Sequence, residues 1–373
     1  MLGVAGKDLA GSSRYAGGLR LDATQPIGST GTGTNDHHRH PTGGDVRMSR
    51  KTKRRILFWG SIIVSVAGLI LVWAVLVEPR LIDQRRYTVR VPNLPTAWEG
   101  RTVAFITDLQ LGMWLDNESA VREVLARIAA ERPALLLIGG DFIYHPTEDD
   151  TPTKALEEYK EEEAEHRAEV DESIGRVTSL LKPIVNARIP VYAVLGNHDY
   201  AMENQQSLKL EWVAERLETA LEEIGIKVLR NEWTAIGSPA GAATQEAKPL
   251  YLVGIGPHYP GEANVHKALA SLPSDAARIV IMHNPQTFAD IPAGQAPLAL
   301  AGHTHGGQIR VPWLKSWSWL AIVQAHEVHA DGWINDFGHQ GNRLYVNRGI
   351  GFSIAPIRLN CRPELTHLTL SGE

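Results

Sequence analysis

Cysteine is nearly absent: Cys361 stands alone in 373 residues, which excludes an intrachain disulfide. The simplest reading makes it a small buried apolar residue. A basic excess is lacking as well. The formal net charge is −5, so nothing in the composition calls for a nucleic-acid partner. The first 46 residues lack any apolar period and are rich in Gly, Ser, Thr and Asp. Such a stretch cannot bury enough surface to offset the entropy of ordering it, so residues 1–46 are expected to form a disordered tail. His37, His38 and His40 belong with that tail rather than with a metal site.

What is present begins at a basic flank, residues 47–55, holding Arg47, Arg50, Lys51, Lys53, Arg54 and Arg55. It leads into Ile56–Val77, 22 residues without a charge, closed by Glu78-Pro79. A hydrocarbon layer of about 30 Å needs roughly 20 helical residues, so 56–77 is long enough to span as a transmembrane helix. Arg54-Arg55 raises the alternative of a cleaved targeting signal. The long apolar run, the long leader and the missing Ala-x-Ala site favour an uncleaved anchor. Six basic residues precede the span, while Arg80, Arg85, Arg86 and Arg90 follow it. The bias predicts a single-pass protein with a cytoplasmic N-terminus and an extracytoplasmic large domain. Residues 78–84 form the linker to a domain over 85–373.

That domain alternates strands and helices. Strands are expected at Tyr87–Val91, Thr102–Ile106, Ala134–Ile138, Val191–Leu195, Ile226–Leu229, Leu250–Ile255, Ala277–Met282 and Leu344–Val346. A short buried strand is expected over Ala296–Ala301. Helices are expected at 117–131, from the spacing of Val121, Val124, Leu125 and Ile128, and at 207–224 and about 262–271. Residues 148–172 are densely acidic and suit the solvated face of a long helix, with a substrate lid as the alternative. That helix should end before Pro183. Leu365–Leu370 alternates apolar and polar residues and predicts a closing strand with His367 on its polar face. Trp313, Trp317, Trp319 and Leu320 make an aromatic loop, suited to core packing or to a surface meeting membrane or an acyl chain.

Polar groups recur where these strands end: Asp108, Asp141, Asn197, His198, His283, His303 and His305. The pattern argues for a layered α/β domain with its site at the strand ends. Carboxylates, an amide oxygen and imidazoles, without thiolates, suit Mn, Zn or Fe rather than a soft ion. A shared carboxylate can hold two ions about 3.5 to 4 Å apart, where they orient a hydroxide and neutralise phosphoryl charge.

The blocks Asp108-Leu109-Gln110, Gly140-Asp141, Gly196-Asn197-His198-Asp199, His283 and Gly302-His303-Thr304-His305 resemble those of the calcineurin-like metallophosphoesterases, closest to their membrane-associated bacterial branch. The resemblance covers about residues 85–373. It implies a four-layer α/β/β/α sandwich, here preceded by one transmembrane helix, and two divalent metal ions, manganese foremost, with zinc, iron or magnesium as alternatives. It assigns Asp108 and His305 to the first metal, Asp141 to the bridge, and Asn197, His283 and His303 to the second. His198 is the implied catalytic histidine, oriented from behind by Asp199. Arg348 could reach a substrate phosphate, or serve the structure. The first block departs from the usual Asp-x-His: Gln110 replaces the histidine, a weaker oxygen ligand that favours Mn or Mg at the first position.

The implied activity is hydrolysis of a phosphoester or pyrophosphate bond by a metal-bound hydroxide, in a lipid-linked or envelope substrate. Alternatives are a nucleotidase or phosphodiesterase on soluble substrates, a protein phosphatase, and a non-catalytic envelope-binding protein. The expected partners are the membrane and a phosphate-containing small molecule or lipid-linked substrate. A monomer is expected.

Overall fold

The computed structural model describes residues 48–113, 115, 117–146, 152–239, 248–318, 330–335 and 337–372; along 152–162 and 314–317 it describes the backbone alone. The expected tail over 1–46, Trp319 and Leu320 lie outside the described residues.

The basic flank and the apolar run form one helix, α1 (Arg50–Val72), with no buried residue along it. A π-turn over Trp73–Val77 and a 3-10 turn over Glu78–Arg80 continue it to a length of 31 residues. By length and composition this helix can cross a membrane.

Among the described residues, fourteen strands and four further α-helices follow in the order β1 (Asp83–Arg90), β2 (Thr102–Ile106), α2 (Glu118–Glu131), β3 (Leu135–Ile138), α3 (Pro152–Asn186), β4 (Val191–Ala193), α4 (Glu211–Glu223), β5 (Lys227–Val228), β6 (Glu232–Ile236), β7 (Leu250–Gly254), α5 (Val265–Leu269), β8 (Arg278–Ile281), β9 (Ala299–Ala301), β10 (Arg310–Val311), β11 (Leu314–Ser318), β12 (Gly332–Ile334), β13 (Leu344–Val346) and β14 (Glu364–Ser371). They build two six-stranded mixed sheets, β1-β14-β2-β3-β4-β5 and β12-β13-β9-β8-β7-β6, and the small hairpin β10-β11. The β2-β3-β4-β5 and β13-β9-β8-β7 stretches are parallel, while β14 runs antiparallel to β2.

Strand alternation sorts the core into three layers. Ala104, Ile106, Leu136 and Ile138 face α2, α3 and α4 through Val121, Val124, Val177, Leu181, Val213 and Leu217. Their neighbours Val103, Phe105, Leu135 and Leu137 face the second sheet, meeting Leu250, Leu252, Ile279, Ile281 and Leu300. The outer face of the second sheet, Val253, Val280, Ala299 and Val346, packs on Ala268 of α5 and on Phe288. Continuous apolar runs are what strands covered on both faces require.

Two expectations need correction. Helix α3 does not stop at Pro183, which lies inside it. The turn beyond the proline is retained because Ile184 is buried in the core and Ala187 N donates to Pro183 O at 3.0 Å. Likewise the polar face of β14 is covered at His367, while Thr369 and Ser371 on it stay half-exposed. The strand pairs with β1 on one side and β2 on the other, and His367 is only 2% exposed. Thr366 is turned into an internal network instead, accepting from Asn347 Nδ2 at 2.9 Å and donating to Glu364 at 2.6 Å.

Candidate metal centre

The polar groups singled out by their place in the sequence sit at the C-terminal ends of parallel strands from both sheets. Asp108 follows β2, Asp141 follows β3, Asn197 and His198 follow β4, His283 follows β8, and His303 and His305 follow β9. Hydrogen bonds stitch the two sheets together at this end. The His303 N–H donates to both oxygens of Asp108 at 3.0 and 3.1 Å, and His283 Nδ1 donates to Gly139 O at 2.8 Å. Because a carbonyl only accepts, that second bond puts a proton on Nδ1 and turns Nε2 toward the site.

Packing is tight enough to forbid side chains at two of the flanking glycines. A Cβ at Gly196 would lie 2.0 Å from Asp141 Oδ1, and one at Gly302 would lie 2.5 Å from Asp108 Oδ2. Non-glycine residues with positive φ gather here as well: Asp108 (54°), Gln110 (45°), Asp141 (55°), His303 (72°) and His305 (48°). Holding five such residues in the left-handed region costs energy, and such clusters mark functional sites.

Two groups of ligand atoms result, each within 4.8 Å of one another: Asp141 with His283 and His303, and Asp108 with Asp141 and His305. Asp141 belongs to both. His283 Nε2 lies 3.1 Å from Asp141 Oδ2, and His305 Nε2 lies 3.4 Å from Asp108 Oδ1. Among the described residues, Gln110 Oε1, Asn197 Oδ1 and His305 Nδ1 are buried without a hydrogen-bond partner. Orphaned buried acceptors are costly, and these cluster on one candidate site. Asn197 cannot turn away, because its Nδ2 donates to Met202 O at 2.7 Å. The donor set fits two divalent cations.

Electrostatics agree with that fit at His303 and His305 and show protons still to be displaced at Asp108 and His283. Burial pushes Asp108 up to about 7, with the Asp141 charge adding and His283 opposing. Burial would also raise Asp141, yet the neighbouring imidazoles of His283 and His198 hold it well below the carboxylate range. His303 and His305 are pushed well below the ordinary histidine range by burial and by neighbouring positive groups. His303 and His305 are thus neutral, as metal ligation needs; His283 differs, because the Asp141 carboxylate outweighs burial and holds it up at about 9, so a cation would have to displace its proton.

Residues 101–330 match the family described as calcineurin-like phosphoesterase. The chain belongs to that family. Over 269 residues this phosphoesterase is 28% identical to phosphodiesterase YaeI of Escherichia coli, covering 72% of this chain and 81% of that protein. Over 295 residues it is 25% identical to the uncharacterized metallophosphoesterase YkuE of Bacillus subtilis, covering 79% and 87%. Over 319 residues it is 23% identical to UDP-2,3-diacylglucosamine pyrophosphatase LpxG of Chlamydia muridarum, covering 78% and 89%.

The position occupied by Gln110 is fully buried, and its Nε2 contacts Asp141 Oδ2 at 3.3 Å. Its oxygen is thereby left as a free acceptor inside the phosphoesterase site. Two other expected roles change. Asp199 does not reach the His198 ring, whose Nδ1 has no partner among the described residues. Both Asp199 oxygens are taken by backbone N–H groups of Asp141, Phe142, Ile143 and Gly196. Arg348 is 5% exposed, and its guanidinium pairs with Glu364 at 2.7 Å and Asp83 at 2.6 Å. Its structural role is therefore plain in its contacts.

Some contributors carried no sequence signal. The Tyr144 ring lies 4.7 Å from that of His198, tilted by 33°. Arg358 is wholly buried and donates to the carbonyls of Arg348, Gly349 and Gly351, bracing the loop that packs on Asp108. Nothing local distinguishes a buried arginine from a surface one. Only the carbonyls it meets, brought from elsewhere in the chain, reveal its task.

Proposed function

We propose that this chain is a membrane-anchored, metal-dependent phosphoesterase acting on a phosphoester or pyrophosphate bond in a lipid-linked or envelope substrate. The observation that carries the reading is the sharing of Asp141 between two donor groups, one fully buried and one completed by half-buried His303. Asp108, Gln110 and His305 would hold one ion, Asn197, His283 and His303 the other, with Asp141 between them. When bound, two such cations supply Lewis-acid charge for phosphoryl oxygens and bring the pKa of bound water toward neutrality. Manganese suits the oxygen-rich first group.

The chain's own residues supply the rest. His198, stacked against Tyr144, would serve the phosphate or the leaving oxygen. Asp199 holds the Asp141 loop in place through the backbone. Arg348 is assigned to the sheet edge rather than to substrate.

The lipid-linked class is favoured by the long apolar helix and by the likeness to LpxG, a pyrophosphatase of UDP-2,3-diacylglucosamine. The charge bias across the helix favours an extracytoplasmic site, hence an envelope-side substrate. The phosphodiesterase relative supports a diester as the second reading.

The test uses the full chain in proteoliposomes, loaded with Mn, given bis(p-nitrophenyl) phosphate, p-nitrophenyl phosphate and a lipid pyrophosphate. Hydrolysis lost in both D141N and H198A variants is expected. Turnover that persists in D141N, or that is absent from the loaded wild-type chain, sinks the proposal.

A further inference from the structure

Outside the long helix and Met48 before it, the exposed large apolar residues among the described ones are Val311, Trp313 and Ile354. Trp313 is 98% exposed and sits in the turn between β10 and β11. Ile354 belongs to a loop from the far end of the chain. The two segments are tied together: Arg310 N donates to Leu359 O and Leu359 N to Gln308 O, each at 2.9 Å. The Gln308 amide reinforces the tie, accepting from Ser353 N at 2.5 Å and donating to Ala355 O at 3.2 Å.

The same loop is fastened to the last turns of the apolar run. Arg358 N donates to Ala74 O at 3.0 Å, and Cys361 N donates to Glu78 Oε1 at 2.6 Å. The other Glu78 oxygen accepts from Trp73 Nε1 at 2.9 Å. Ala74 is 2% exposed, although its neighbours Trp73 and Leu76 remain 42% and 49% exposed. Ala74 precedes Val77, the end of the apolar run, by three residues, about 4.5 Å along a helix. A loop that covers Ala74 therefore reaches back beside the helix, to the depth at which Trp73 and Leu76 would meet lipid. Ile354 lies on the same loop as Arg358, and Trp313 follows Arg310, which is hydrogen-bonded to that loop.

We propose that Val311, Trp313 and Ile354 form a second membrane contact, seated in the interfacial zone of the leaflet from which the helix emerges. This rests on reading the long helix as a membrane span. The chemistry suits the place. Tryptophan prefers the headgroup level, where its ring is apolar and its N–H can stay wet. Exposed Arg80 and Arg362, beside the helix end and within the loop's C-terminal arm, fit anionic headgroups. A helix plus a second seat fixes the tilt of the catalytic domain, which a single tether leaves free. The loop also reaches the metal centre, because Cys361 Sγ donates to His305 O at 3.2 Å.

The test is depth measurement by nitroxide collision on the full chain, reconstituted in phosphatidylcholine and phosphatidylglycerol vesicles. Labels are placed in W313C, I354C, L69C and E215C variants, with the unsubstituted chain and its buried Cys361 as the labelling blank. Positions 313 and 354 are expected to collide more with oxygen and less with a nickel chelate than position 215. Position 69 should report deep lipid. If 313 and 354 match 215 while 69 lies in lipid, the second contact is wrong and the span survives. If 69 is also in water, the span fails and the contact falls with it. Shielding of 313 from both reagents means cover by protein, whether residues 319–329 or a second copy, and overturns the proposal.

Discussion

The carboxylate of Asp199 accepts the backbone N–H of Asp141 at 2.9 Å, so one acidic residue sets the loop that carries another. Its oxygens also accept from Phe142 N at 2.8 Å and Gly196 N at 2.8 Å. In D199N one oxygen becomes an amide donor aimed at donors. The expected loss is about 2 to 3 kcal/mol, from unsatisfied buried N–H groups. A lower urea midpoint at unchanged slope checks it. Unchanged stability with lost turnover would return Asp199 to the task of orienting His198.

Asp141 is the donor common to both metal groups. D141N should lose ions from both, falling below two per chain by elemental analysis, with turnover down at least about 100-fold. Chelation of the wild-type chain should lower its melting temperature and Mn should restore it, since an ion bound only to the folded state stabilises it.

Gln110 leaves a buried acceptor, Oε1, without a partner among the described residues. Replacing it by histidine should tighten the ion held with Asp108 and His305, and Q110A should weaken it, by roughly tenfold either way. Mn titration followed by electron paramagnetic resonance reads both. Identical affinity in all three proteins would show that Gln110 does not coordinate.

Tyr144 stacks on His198, whose Nδ1 has no hydrogen-bond partner among the described residues. Y144A should lower kcat about fivefold with little change in KM, matching an aromatic contact of about 1 kcal/mol. Y144F keeps the ring and should keep the rate. Equal loss in both variants would place the function in the hydroxyl instead.

His145 Nε2 lies 2.7 Å from Ser173 Oγ, and burial pushes its pKa down to about 4. The unfolded chain therefore binds this proton more readily than the folded one. Its contribution is complete above about pH 6.5 and is lost as pH falls toward 4, by about 3 kcal/mol. Denaturant midpoints for wild type and H145Q at pH 7 and pH 4.5 check this. The acid-induced drop should be smaller in H145Q.

The buried strands were legible because a strand covered on both faces must be apolar throughout. Thr102–Ile106 and Leu344–Val346 have the bounds that their composition predicts. The candidate donors stood out for a related reason. Carboxylates, imidazoles and an amide placed immediately after such runs have little to do in a core except hold something charged. The turn past Pro183 was not legible, because its compensation lies in tertiary packing of Ile184.

By itself, then, the sequence determined the strand runs, the apolar helix and the identity of the candidate metal donors, all of which follow from local composition and spacing. Tertiary structure alone decided how the polar groups are spent. Asp199 serves four backbone N–H groups, Arg348 two carboxylates, and Arg358 a set of loop carbonyls. A hydrogen-bonding group takes the partner that folding brings within about 3 Å, and for Arg348 one such partner, Asp83, lies 265 residues away in the chain.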